Sequence, residues 1–171
     1  MSEKLNQVIK KQQAQIAEPF EAKEKDDIVQ LVGFIIGDEE YAIPILNIQE
    51  IIKPISYTRV PSVPDYVLGV FNMRGNVMPL IDLARLFNLG NSEVGPQTRY
   101  IVLRKENETS IVGNAGFVID KLTEAIKMPR SKIDPPPQTL DSRNGIILGI
   151  GKRDDSILTI LKAESLLKRN F

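Results

Sequence analysis

The chain has 171 residues, 22 of them basic and 22 acidic, with 42% hydrophobic content and neither histidine nor cysteine. Balanced charge leaves no overall field drawing it to nucleic acid or anionic lipid. The two absences remove the commonest general base, imidazole and thiolate metal ligands, thiolate nucleophiles and disulfides. An enzyme would have to run on carboxylates, lysine, tyrosine or serine, so a binding protein is the first expectation. No apolar run approaches the roughly 20 residues that cross a bilayer. The start of the chain, Met1-Ser-Glu-Lys-Leu-Asn-Gln, lacks an apolar signal core, which predicts a cytoplasmic protein.

Residues 1–26 are rich in Lys, Gln and Glu, with Leu5, Val8, Ile9 and Ile16 as their large aliphatics. Pro19 stops any helical continuation, so the segment reads as a flexible or partly helical tail adding few positions to a core. Residues 27–168 read as one β-rich domain. Apolar residues 28–36 and 41–43 flank Gly37-Asp38-Glu39-Glu40 and predict a hairpin. Pro44 opens a short helical pattern, with Ile45, Ile48, Ile51 and Ile52 at spacings of three and four. Residues 55–60 read as extended, and Pro61 and Pro64 punctuate a loop. Residues 67–73 and 77–81 then form a central hairpin around the turn signal Gly75-Asn76, leaving Arg74 at its mouth. Asp82 is placed to cap a short helix over residues 83–89, with Gly90 as its left-handed stop.

Residues 90–97 read as a surface loop. Residues 99–105 and 109–119 predict a second hairpin around Glu106-Asn107-Glu108, with Gly113 and Gly116 marking a bulge or bend. A strand near residues 122–128 leads into a connection containing Pro135-Pro136-Pro137. Residues 146–152 and 156–161 pair across Arg153-Asp154-Asp155, and a short helix over 163–168 finishes the domain. About ten short strands predict an all-β fold of two five-stranded antiparallel barrels, closed or nearly so, sharing an apolar seam. The strands after the prolines are expected to return to the earlier barrel.

Chemical motifs are sparse. Gly145-Ile-Ile-Leu-Gly-Ile-Gly151-Lys152 has the wrong spacing for a phosphate loop and lies in a strand pattern, where its glycines relieve crowding. Asp38-Glu39-Glu40 and Asp154-Asp155 are turn residues, and neither supplies the long oxygen-rich loop that calcium needs. Arg74 stands out as a permanent cation whose rigid five-donor fork suits a carboxylate or carbonyl cluster on another molecule. A nucleic-acid binder of the OB type is the runner-up, weakened by zero net charge, ten Phe and Tyr residues and no Trp. A carboxylate-based enzyme is the third reading.

The block Gly37-Asp-Glu-Glu-Tyr-Ala-Ile-Pro-Ile45, then Ile48-Gln-Glu-Ile51, Arg59-Val-Pro61, Leu68-Gly-Val-Phe-Asn-Met-Arg-Gly75 and Pro79-Leu-Ile-Asp-Leu83, closely resembles the CheW family of bacterial chemotaxis adaptors. The likeness runs from about residue 28 to residue 167 and leaves out the tail. It implies two intertwined five-stranded barrels with short helices, no enzymatic activity and no cofactor. It further implies a scaffold coupling chemoreceptors to the histidine kinase CheA, in the cytoplasm but recruited to membrane-associated receptor arrays. The implied partners are the cytoplasmic tip of a methyl-accepting chemotaxis protein and the regulatory domain of CheA, joined by multivalent contacts, with no nucleic acid and no membrane insertion. The family's receptor-binding positions fall here on Ile48, Glu50, Gly69 and Arg74. Ile48 and Glu50 are then expected on a short surface helix, Gly69 where a partner helix approaches the backbone, and Arg74 as a clamp.

Overall fold

A computed structural model describes residues 2–16, 27–104, 113–137 and 145–168. Its apolar runs form eleven strands among those residues: β1 (Ile28–Ile36), β2 (Glu39–Pro44), β3 (Ile48–Ile52), β4 (Val67–Met73), β5 (Asn76–Asp82), β6 (Arg99–Leu103), β7 (Ala115–Ile119), β8 (Lys121–Pro129), β9 (Ile133–Asp134), β10 (Ile147–Arg153) and β11 (Ser156–Leu161). Three helices accompany them, α1 (Ser2–Ile16), α2 (Leu83–Leu86) and α3 (Ala163–Leu167), with 3-10 turns at Ile45–Asn47 and Arg130–Lys132.

The strands build two sheets, a six-stranded one in the order β8-β1-β2-β11-β10-β9 and a five-stranded one in the order β3-β6-β7-β5-β4. The sheets are mixed rather than antiparallel, because β11 joins β2 in parallel, as β5 joins β7. The expected return of the last strands to the first hairpin therefore holds, but through a parallel seam. Nor do the sheets close as barrels. Closure in the five-stranded sheet amounts to one bridge, Thr58 with Val70 on the outer edge of β4. The outer edge of β3 is bonded elsewhere, as described below.

Each sheet keeps a small core of its own. Phe71, Met73, Met78, Leu80, Tyr100, Val102 and Val118 fill one, and Leu31, Ala42, Ile126, Met128, Leu158 and Ile160 the other. Between the sheets lies a larger shared core that includes Val32, Phe34, Ile43, Ile81, Phe117, Ile119 and Leu161. Successive strand residues point to opposite faces, so Leu80 and Ile81 enter different cores and these strands read as continuous apolar runs.

The chain repeats its own architecture. The hairpin β4–β5 carries a register shift between Val67 and Gly69 and runs into α2. The hairpin β10–β11 carries one between Ile147 and Gly149 and runs into α3. The residues that open the two helices, Asp82 and Lys162, share nearly the same backbone, at φ −88, ψ 107 and φ −92, ψ 104. Each sheet draws strands from both halves of the chain, which is the intertwining the family resemblance implies. The predicted helix after Asp82 is shorter than expected, ending at Leu86 because Asn88 already takes the left-handed conformation at φ 60. At Gly116 the register of β7 is unbroken, and the glycine instead makes room for the Phe71 ring, 2.7 Å from where a Cβ would sit.

The N-terminal segment is partly helical, as expected, but it is not a free tail. Helix α1 docks, with Leu5 and Ile9 buried in the shared core. Two aliphatics one turn apart suffice for this because the edge of β3 offers polar partners beside them. Residues 17–26 lie outside the described residues.

Candidate functional site

The hairpin of β4 and β5 turns on Arg74 and Gly75, at φ 53 and φ 86, with Met73 and Asn76 as the closing pair. Positive φ at both central residues is the geometry whose twist suits a two-residue hairpin. The turn thus falls one residue earlier than Gly75-Asn76 suggested, and Arg74, a non-glycine, takes the left-handed position. Asn72 supports it by accepting a hydrogen bond at Oδ1 from the Gly75 N–H, at 2.9 Å.

From this tip the Arg74 side chain, 72% exposed, reaches Glu50 on β3, with Nη2 2.7 Å from Oε1. The Glu50 side chain is only 13% exposed, so an exposed cation is tied to an anion set into the sheet. Val77, across the ladder from Asn72 and next to the turn in sequence, is a 66% exposed apolar residue.

Ile48 and Glu50 lie on a strand and not on the expected helix. A register shift between Ile48 and Glu50 inserts one extra residue into β3. In a regular strand, residues three apart face opposite ways. The bulge brings Ile48 and Ile51 to the same interior and so mimics a helical period. Ile48 is fully buried. Gly69 is buried as well, and the chain itself covers it. A Cβ there would lie 2.1 Å from the Thr58 carbonyl oxygen and 2.8 Å from its carbon. The structure therefore brings Glu50 and Arg74 together at the surface, while Ile48 and Gly69 are buried away from it.

Two contributors escaped sequence reading. Thr58, which pairs with Val70 through reciprocal 2.8 Å hydrogen bonds, sits in an extended segment with no sequence signal of its partner. Asn6 donates from Nδ2 to the Ile51 carbonyl at 3.0 Å and accepts at Oδ1 from the Ile51 N–H at 2.9 Å. Nearby, Tyr100 donates to the Ile55 carbonyl at 3.2 Å. Burial, and next the neighbouring Tyr57, raise the pKa of the Tyr100 phenol.

Away from this surface, a cleft of about 190 Å³ beside α3 is lined by residues that include Pro44, Arg104, Lys162 and Glu164. None of Ile48, Glu50, Gly69 and Arg74 lines it. Its one perturbed acid, Glu164, is lowered by a hydrogen bond to Lys168 and by that ammonium's charge. Among the described residues no group of three or more acidic, His or Cys side chains could hold a metal ion, and no helix is long and apolar enough to cross a membrane.

Residues 30–171 match the CheW-like domain family. The chain belongs to the CheW family. Its CheW-like domain takes in both sheets and the whole Glu50–Arg74 surface. The chain is 53% identical over 149 residues to the chemotaxis protein CheW of Helicobacter pylori, covering 87% of each chain. It is 30% identical over 141 residues to CheW of Bacillus subtilis, covering 82% of this chain and 87% of that one. The fold is similar to the crystal structure of the scaffolding protein TtCheW from Thermoanaerobacter tengcongensis, with a TM-score of 0.74 and 28% identity, over 89% of this chain and 96% of that one.

Proposed function

We propose that this CheW-family chain is a non-catalytic chemotaxis adaptor that couples chemoreceptors to the histidine kinase CheA. One surface grips the cytoplasmic tip of a methyl-accepting chemotaxis protein, and a separate one holds the kinase's regulatory domain. The protein works in the cytoplasm and is recruited to membrane-associated receptor arrays, where multivalency strengthens contacts that are individually about micromolar, near 8 kcal/mol.

The observation that carries this reading is the Arg74–Glu50 pair on a rigid hairpin tip. Its ion pair runs through one terminal nitrogen of Arg74, and a guanidinium carries five donors in a planar fork. A receptor helix bearing a carboxylate or helix-end carbonyls would meet the cation. Ile48 and Gly69 serve the same surface indirectly, by fixing β3 and β4.

Arg74→Glu tests the proposal. The new carboxylate would face Glu50 and repel an acidic partner, costing about 2–4 kcal/mol of receptor affinity if the contact is desolvated. Folding stability should fall by about 0.5–1 kcal/mol, since Glu50, only 13% exposed, loses its partner and gains a like charge. Titrating the variant in parallel with a receptor cytoplasmic fragment and with the kinase regulatory domain should show loss of the first and retention of the second. Intact receptor binding would remove Arg74 from the site.

A further inference from the structure

Strand β3 lies at the edge of the five-stranded sheet, with its inner side bonded to β6. An edge strand presents backbone donors and acceptors that must find partners or water. Here the outward N–H and C=O of Ile51 are both taken by one side chain, Asn6 of α1, at 2.9 and 3.0 Å. A carboxamide has one acceptor and a donor side by side, so Asn6 substitutes for a residue of a neighbouring strand. On either side of it along α1, Leu5 and Ile9 enter the core that also holds Ile45, Ile48 and Ile51. The residue immediately before Ile51 is Glu50, whose carboxylate holds Arg74.

We propose that α1 is a positioning element for the Glu50–Arg74 surface. Asn6 fixes the outer edge of β3 and thereby the height at which Glu50 presents its carboxylate to the hairpin tip. Release of the helix frees the Ile51 backbone groups, lets β3 shift and loosens the pair. The N-terminal segment, outside the residues that match the family, thus tunes the surface within them. This inference rests on the reading of that surface as the receptor site.

The test is Asn6→Ala in the full chain. Alanine is the better helix former, so α1 itself is not weakened and only the amide is lost. Two hydrogen bonds of about 1 kcal/mol each correspond to amide exchange at Ile51 faster by roughly tenfold or more. Receptor-fragment affinity should fall by roughly three- to tenfold, within the range by which remote positioning residues act. Affinity for the kinase regulatory domain should stay within about twofold, as for independent sites. Unchanged exchange at Ile51 would show that Asn6 does not hold the edge. Faster exchange with unchanged receptor affinity would reduce α1 to a cover, and equal loss of both affinities would mean general loosening. Asn6→Gln keeps the amide one methylene further out, and carries the same titrations should the alanine variant fail to fold. Arg74→Glu run alongside separates the two possible failures. If it lowers receptor affinity and Asn6→Ala does not, the positioning role falls alone; if neither does, the receptor surface falls and takes the positioning role with it.

Discussion

At Gly69 the obstacle to a side chain is the protein's own backbone. The Thr58 carbonyl sits where a Cβ would go, and the segment carrying it is held to β4 by reciprocal hydrogen bonds. Backbone cannot rotate aside as a flexible side chain can. Gly69→Val should therefore separate residues 53–60 from β4 and cost about 1–3 kcal/mol or more of stability, as overpacking does. A thermal melt should show the drop, and receptor affinity of the folded fraction should change less. A mutant with full stability and lost receptor binding would restore the simpler idea that a partner helix needs the glycine bare. The sequence marked Gly69 as special, because a lone glycine in an apolar strand signals close approach. It could not say what approaches, since Thr58 lies eleven positions earlier in a stretch without periodicity. Arg74 was legible for the opposite reason: its turn is local, and local turn chemistry is written in consecutive residues.

Among the elements, α2 and α3 follow corresponding hairpins but begin differently. Asp82 accepts a hydrogen bond from the Ala84 N–H at 3.0 Å and also holds Ser92 through its amide and hydroxyl. Lys162, with nearly the same φ and ψ, gives α3 no side-chain cap, although its carbonyl accepts from the Ser165 and Leu166 N–H groups. Transplanting the cap by Lys162→Asp should stabilise the protein by about 0.5–1 kcal/mol, at the lower end for an N-cap because Glu164 stands close by. A denaturant midpoint that does not rise would show that the end of α3 is already satisfied by other means. The elements most poorly read from sequence were those whose period came from packing. A bulge gave β3 the spacing of a helix, and α1 looked like tail because its anchorage to the edge of β3 is not visible in its own composition.

For the molecule as a whole, the apolar runs announced buried strands and a shared seam, and both are present. The parallel pairings of β2 with β11 and β5 with β7 were not legible, because no local signal says which distant strand will lie alongside. Two phenols also set a limit at alkaline pH. Burial, then Glu39, raises the pKa of Tyr41, which packs between Phe34 and Phe87; burial, then Tyr57, raises that of Tyr100. Both phenols hold their protons more tightly folded than unfolded. Their contribution to stability is complete below the unfolded value near 10 and is lost as pH rises through the folded one. Urea midpoints should therefore fall above about pH 10, and phenolate absorbance should lag for two of the four tyrosines until the fold opens. A midpoint independent of pH in that range would mean that neither phenol is protected.

The exchange of strands between the two halves also orders events on the ribosome. Strands β3 to β7 need nothing beyond residue 119 to complete the five-stranded sheet. The hairpin of β1 and β2 emerges before that sheet, yet its parallel neighbour β11 follows it, ending at Leu161. During synthesis β2 is thus made before the five-stranded sheet but fully paired only after it. The edge of β2 remains open to chaperones, or to another nascent chain, until β11 has been made.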